Sequence, residues 1–230
     1  MTAASEYFNK NWQRYQSAIK NNTLYHREML QALQQFLVTH IGDRLFSFAD
    51  VGCGDSSTVV SVLTGTSIKK YIGIDAAPDV LKMAENTLAS LDCEKEFIAD
   101  HMIAALPRVS APVDVIYTSY AVHHLSLHEK NNFIALCKQK LTPNGFLLMV
   151  DGVLKQHQTR DEWLDALKSR MLESDPEIAD DEIIARMEHP RTDDYPEKID
   201  TFAQIARQQA WNNFQVLVDK GIFAFMAFTK

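Results

Sequence analysis

Short apolar segments that each end in an acid, spaced at βα intervals, constrain this chain more than any other feature. Leu45 to Val51 carries Asp50 at its end, leads into Gly52-Cys53-Gly54 and then reaches hydroxyl residues able to cap a helix. Tyr71-Ile72-Gly73-Ile74-Asp75 and Glu96-Phe97-Ile98-Ala99-Asp100 repeat the pattern. Val113 to Thr118 reads as a fourth strand, and Leu141-Thr142-Pro143-Asn144-Gly145 as a turn entering a fifth that ends at Asp151. Strands alternating with helix-length intervals predict a mostly parallel sheet with helices on both faces. Gly52 and Gly54 permit backbone conformations closed to other residues and let a ligand approach without meeting a Cβ. Asp75 lies 23 residues after Gly52, about where a nucleotide-binding βαβ unit places the acid that receives ribose hydroxyls.

A nicotinamide dinucleotide is the main competing ligand. Its fingerprint asks for Gly-x-Gly-x-x-Gly, and the sixth position here is Ser57. That third glycine permits close helix–strand packing around a pyrophosphate, so its absence favours a nucleoside ligand that has none.

On these residues the chain resembles the class I S-adenosylmethionine-dependent methyltransferases of the small-molecule type. The likeness rests on Asp50-Val51-Gly52-Cys53-Gly54, Gly73-Ile74-Asp75, Ala99-Asp100, Asp114 to Leu125 and Leu141 to Gly145, and resumes at Phe214 to Val218 and Ile222 to Phe228. It implies a Rossmann-like, seven-stranded, mostly parallel α/β sheet with an antiparallel last strand, helices on both faces and a helical cap. It implies S-adenosyl-L-methionine as cofactor and S-adenosyl-L-homocysteine as product. Asp75 would hold the ribose, Asp100 the adenine amine, and Asp50, Gly52 and Gly54 the methionine end; Cys53, Ala76, His101, Met102 and Ser119 complete the implied cofactor-binding set. Ser56 departs from the pattern, standing where the family often has a third glycine.

With 230 residues and 46% apolar content, the chain can bury one good core, so a single domain is expected. Its parts would be N-terminal helices (1–40), a cofactor-binding core (41–151), a helical cap (152–205) and closing strands (206–230). Met29, Leu30, Leu33, Phe36 and Leu37 predict a helix packed on the sheet, and Phe8, Trp12 and Tyr15 form a second aromatic stripe near Tyr7 and Tyr25. Within the cap, Thr159-x-x-Glu162 and Ser174-x-x-Glu177 read as capping boxes, and a third helix is expected near Pro196 with Ile199, Phe202 and Ala206 inward. No apolar stretch is long enough to span a membrane and no basic-then-apolar leader is visible, so a cytoplasmic location is expected. Cys53, Cys93 and Cys137 are odd in number and widely spaced, which predicts neither a disulfide frame nor a cysteine metal site.

Residues 152–200 hold 14 Asp/Glu against 7 Lys/Arg, an excess equal to the formal net charge of −7 for the entire chain. An acidic cap at the ligand-binding edge repels phosphate backbones, so nucleic acid is not an expected partner and a small-molecule methyl acceptor is. The assembly would be a monomer or homodimer.

In-line transfer of a methyl group depends mainly on positioning. A neutral nucleophile must also lose a proton, and Tyr120, His123 and His124, directly after the fourth strand, are the candidate catalytic residues, with His124 slightly preferred because a capped helix starts just beyond it. No metal site is expected: Ser126-x-x-Glu129 caps that helix, so His124 and His128 do not share a face. The favoured activity is methylation of N or O on a small molecule. A tRNA or protein substrate, modification of the cofactor itself, or a non-catalytic cofactor-binding subunit remain as alternatives.

Overall fold

Alternation along β1 (Phe46–Val51) sets the layers of the molecule. Successive residues of a strand face opposite sides. Phe46 and Phe48 point into one apolar cluster with Tyr71, Tyr117 and Phe225, whereas Ala49 and Val51 join Ile72, Ile116 and Met149 in the other. The computed structural model describes residues 13–230. Around β1 lie β2 (Ile68–Asp75), β3 (Glu94–Ala99), β4 (Val113–Ser119), β5 (Leu141–Leu154), a two-residue β6 (Glu197–Lys198), β7 (Asn213–Asp219) and β8 (Phe223–Thr229). Their order is β3-β2-β1-β4-β5-β8-β7, with β6 beside β5. The pairings from β3 through β5 are parallel, and β8 runs antiparallel between β5 and β7. This is the expected sheet, with β6 as an addition.

Helix His26–His40 covers the first face through Met29, Leu33, Phe36 and Leu37. Helix Leu127–Lys140 covers the second through Phe133, Ile134 and Cys137. The capping boxes at Ser126/Glu129 and Thr159/Glu162 both form. Ser174/Glu177 does not: Ser174 is the last residue of helix Arg160–Ser174, and the next helix, Asp180–Asp193, starts after Ala179. The Ser174 hydroxyl instead bonds Met171 O and the Thr23 hydroxyl, joining the cap to the N-terminal segment. The third cap helix, Ile199–Gln208, buries Phe202, Ile205 and Ala206, with Ile199 half-buried. Of the aromatic stripe, Tyr15 lies in a helical stretch over residues 13–20, while Tyr7, Phe8 and Trp12 lie outside the described residues. Among the described residues no helix is long and apolar enough to cross a membrane.

Candidate active site

The loops after β1, β2 and β4 meet at the carboxyl edge of the sheet. Gly52 and Gly54 have φ of 73° and 53°. They serve different ends. A Cβ on Gly52 would stand 2.7 Å from the Ala121 Cβ, so the bare backbone there lets the loop after β4 pack against the loop after β1. A Cβ on Gly54 would meet no heavy atom within 4 Å, which leaves open space over this backbone. Ser56, in place of a glycine, has φ 56° and is held by a 2.8 Å bond between its hydroxyl and that of Tyr71.

Asp75 shapes the same loop: Oδ2 accepts from the Gly54 N–H at 3.0 Å and Oδ1 from the Ala77 N–H at 2.9 Å. A carboxylate has about four acceptor positions, so each oxygen keeps one for a hydroxyl pair such as a ribose presents. The open cradle at Gly54 and these free lone pairs fit an adenosyl ligand. Asp100 follows β3 beside Asp75, its backbone N–H donating to Asp75 O. Its Oδ1 accepts from the His101 N–H, and its Oδ2 receives Arg108 Nη1 at 3.0 Å, so an adenine amine would share this carboxylate with an exposed arginine. Ala76 and His101 are exposed next to these acids, Met102 is half-buried at the start of a one-turn helix, and Ser119 ends β4.

Asp50 continues the Phe46, Phe48 face and is therefore buried. Its Oδ2 accepts from the Tyr71 hydroxyl at 2.9 Å. Burial raises its pKa to about 7 against the lowering effect of that bond, with the charge of Asp75 adding to the rise. Cys53 is buried and free, its thiol pushed up by burial, which makes it a filler between the glycines rather than a nucleophile.

Beyond the cradle lies a half-open cavity of about 630 Å³, within the usual size of small-molecule sites. Its lining includes Tyr15 and Leu24 of the N-terminal segment, Leu167 and Met171 of the cap, and Tyr120, His123 and His124 from the loop after β4. Tyr120 has φ 53°, an uncommon value for a non-glycine residue. Its hydroxyl donates to Leu24 O at 2.6 Å, and its pKa is driven well up by burial, so it acts as a latch on the N-terminal segment rather than as a proton acceptor. His26, under Tyr120 with ring centroids 4.8 Å apart, is held neutral by burial at a pKa of about 4.

The two histidines separate. His123 is buried and its Nδ1 contacts Asp151 Oδ1. His124 is exposed, with Nδ1 3.2 Å from Asp193 O. Both reach Asp194 Oδ1, His123 through Nε2 at 3.5 Å and His124 through Nδ1 at 3.3 Å. Burial opposes protonation of His123, but the Asp151 and Asp194 carboxylates outweigh it and raise its pKa. Asp194 is brought here by several ties. The Tyr195 N–H donates to His123 O, buried Lys130 donates to Leu125 O and Tyr195 O, and Arg160 donates to Pro190 O, Arg191 O and Asp194 O.

Residues 48–145 match a family model described as a methyltransferase domain. The chain is 28% identical over 113 residues to an uncharacterized methyltransferase of Bacillus velezensis, covering 49% of this chain and 50% of the relative. It is 22% identical over 148 residues to an uncharacterized methyltransferase of Halobacillus halophilus, covering 64% and 66%. It therefore spans about half to two thirds of the length of these relatives. Among solved structures it is similar to the magnesium protoporphyrin IX methyltransferase of Synechocystis PCC 6803 with bound SAH, at TM-score 0.67 and 14% identity over 98% of this chain and 97% of that one. The plantazolicin methyltransferase in complex with SAH gives TM-score 0.66 and 12% identity over 96% and 90%. The fold is that of the class I S-adenosylmethionine-dependent methyltransferases. The family model places a methyltransferase domain across residues 48–145, which hold the cradle and the loop after β4.

Proposed function

We propose that the chain is an S-adenosylmethionine-dependent methyltransferase acting on the nitrogen or oxygen of a small molecule. The cavity beside the loop after β4 carries this reading, because it is ligand-sized and walled by the cap and the N-terminal segment. When bound, the cofactor supplies an electrophilic sulfonium methyl. Asp75 holds the ribose, Asp100 shares the adenine amine with Arg108, Gly54 gives room for the ligand, and Asp50 faces the methionine end. The two hydrophobic clusters on either side of the common sheet support reading the described part of the chain as one domain.

The cavity's mixed lining fits an acceptor with an apolar body, set against Leu167, Met171 and Phe223, and a polar head at His123, His124 and Asp194. Holding that head in line with the methyl contributes most of the rate, since orientation alone is worth ~7–11 kcal/mol. Calorimetry with S-adenosylhomocysteine, followed by an acceptor screen of amines and phenols that reads S-adenosylhomocysteine release, tests the reading. Saturable binding and turnover of a small acceptor are expected. Tight NAD binding with no response to S-adenosylhomocysteine would overturn it, and methylation confined to protein or tRNA would overturn the acceptor class.

A further inference from the structure

Asp194 Oδ1 is a buried carboxylate oxygen that makes no hydrogen bond among the described residues, although three imidazoles surround it. His123 Nε2, His124 Nδ1 and His189 Nε2 stand 3.5, 3.3 and 3.9 Å away. The first two separations are long for N–H···O bonds, which centre near ~2.9–3.0 Å. They match the edge of a tetrahedron whose corners lie ~2.0–2.1 Å from a central ion, about 3.3 Å. The donor atoms of His123, His124 and Asp194 all lie within 4.8 Å of one another.

Tautomer logic points the same way at His123, while at His124 an ion would take the place of the 3.2 Å contact between Nδ1 and Asp193 O. Asp151 is an acceptor on His123 Nδ1 and its carboxylate is buried, so a neutral His123 carries its proton on Nδ1. Its Nε2 is then a bare lone pair facing another lone pair on Asp194 Oδ1. A cation between them removes that opposition. A carboxylate behind a histidine with the far nitrogen aimed at a second carboxylate is also the usual outer shell of a metal-bound imidazole.

We propose that His123 Nε2, His124 Nδ1 and Asp194 Oδ1 bind one divalent first-row transition ion, of the zinc class, in the wall of the cavity. Two imidazoles and one carboxylate suit such ions better than magnesium or calcium, which prefer all-oxygen shells. The ligands are not the pair His124 and His128: both histidines come from the turn Val122–His124, and the acid, Asp194, caps the end of helix Asp180–Asp193. All three ligands line the cavity, so a remaining coordination position faces the acceptor. Resting on the proposed function in this clause alone, the ion would bind the acceptor's oxygen or nitrogen and lower its pKa.

The test uses chelator-stripped full chain titrated with Zn²⁺ against a chromophoric competitor, and with Co²⁺ read by its visible ligand-field bands. One ion per chain is expected. Asp194→Asn and His124→Ala should each weaken binding by at least ~100-fold, and Asp151→Asn by about 10- to 100-fold as an outer-shell loss. His189→Ala, farther from Asp194, should change it least. Affinity for S-adenosylhomocysteine and the thermal midpoint without metal serve as folding controls, and exposed His124 keeps the test open if Asp194→Asn fails to fold. Absence of stoichiometric binding, or equal affinity in the wild type and His124→Ala, overturns the site. Metal binding without cofactor binding would overturn the proposed function and leave the site standing.

Discussion

Replacing Asp50 by Asn should stabilise the protein in a pH-dependent way. Asp50 is 3% exposed, and its pKa rises from 3.8 to about 7 because burial penalises the charged carboxylate. A carboxyl whose folded pKa lies above its unfolded value contributes stability at low pH. That contribution is lost as pH rises between the two values, because the unfolded chain releases the proton first. The slope is ~1.4 kcal/mol per pH unit. Asn cannot titrate, yet its carbonyl can still accept the Tyr71 hydroxyl, so Asp50→Asn removes the penalty while preserving the 2.9 Å bond.

Between pH 5 and 7 the advantage of Asp50→Asn over the wild type should therefore grow by about 2 kcal/mol, the slope halving as pH reaches the folded pKa. For a chain of this size that is a Tm gap widening by roughly 4–8 °C. Above pH 7 the gap should level off. Scanning fluorimetry or calorimetry of the ligand-free proteins at half-unit steps measures it directly. Melting temperatures that run parallel from pH 5 to 8 would refute the reasoning and show Asp50 ionised throughout.

Asp75→Ala should weaken S-adenosylhomocysteine binding about 10- to 150-fold by calorimetry, the equivalent of ~1.5–3 kcal/mol for charged hydrogen bonds; unchanged affinity removes Asp75 from the site. Gly52→Ala should mainly lower Tm, because its Cβ meets Ala121 at 2.7 Å, whereas Gly54→Ala opens onto free space and should mainly lower cofactor affinity, with ~1–2 kcal/mol of strain from its positive φ. Lys130→Met leaves the Leu125 and Tyr195 carbonyls without their 2.6 Å donor, so acceptor KM should rise while cofactor affinity stays; an equal loss of both would show that cap and cradle are not separable. Turnover should depend only mildly on salt, since a steep slope is the mark of phosphate contacts.

The cradle was legible in the sequence because its parts are local. Asp50 to Gly54, Asp75 and Asp100 are each set by the strand they end, and period-2 burial fixes which face each strand presents. The wall of the cavity was not legible, because its geometry is made by contacts between distant segments. Nothing in the spacing of Asp194 or Asp151 marks them as partners of His123. They meet through the Tyr195 N–H on His123 O and the register of β5 beside β4. The preference for His124 followed the capped helix after it, but the helix leaves His124 exposed and the preceding turn drives His123 inward. The Ser174/Glu177 box misled for a related reason: a serine three residues before a glutamate also fits a helix end, and here its hydroxyl is taken by Met171 O and Thr23. Tyr120 reads as chemistry from its type and position, while its hydroxyl is committed to Leu24 O.

Two non-glycine residues in left-handed conformation, Ser56 and Tyr120, sit at the joints between these layers. Such strain persists only where the surroundings over-determine it. Ser56 is fixed through Tyr71, whose hydroxyl also reaches Asp50, so the loop after β1 is tied to the one acid under it that titrates near neutrality. Tyr120 is fixed through Leu24 and packs at a tilt on His26 and edge-on to Phe223, so the loop after β4 is tied to the N-terminal segment that lines the cavity. Gly52 and Ala121 bring the two loops into contact. Asp50 and the N-terminal segment therefore bear on opposite sides of one packed junction, the contact between the loops after β1 and β4.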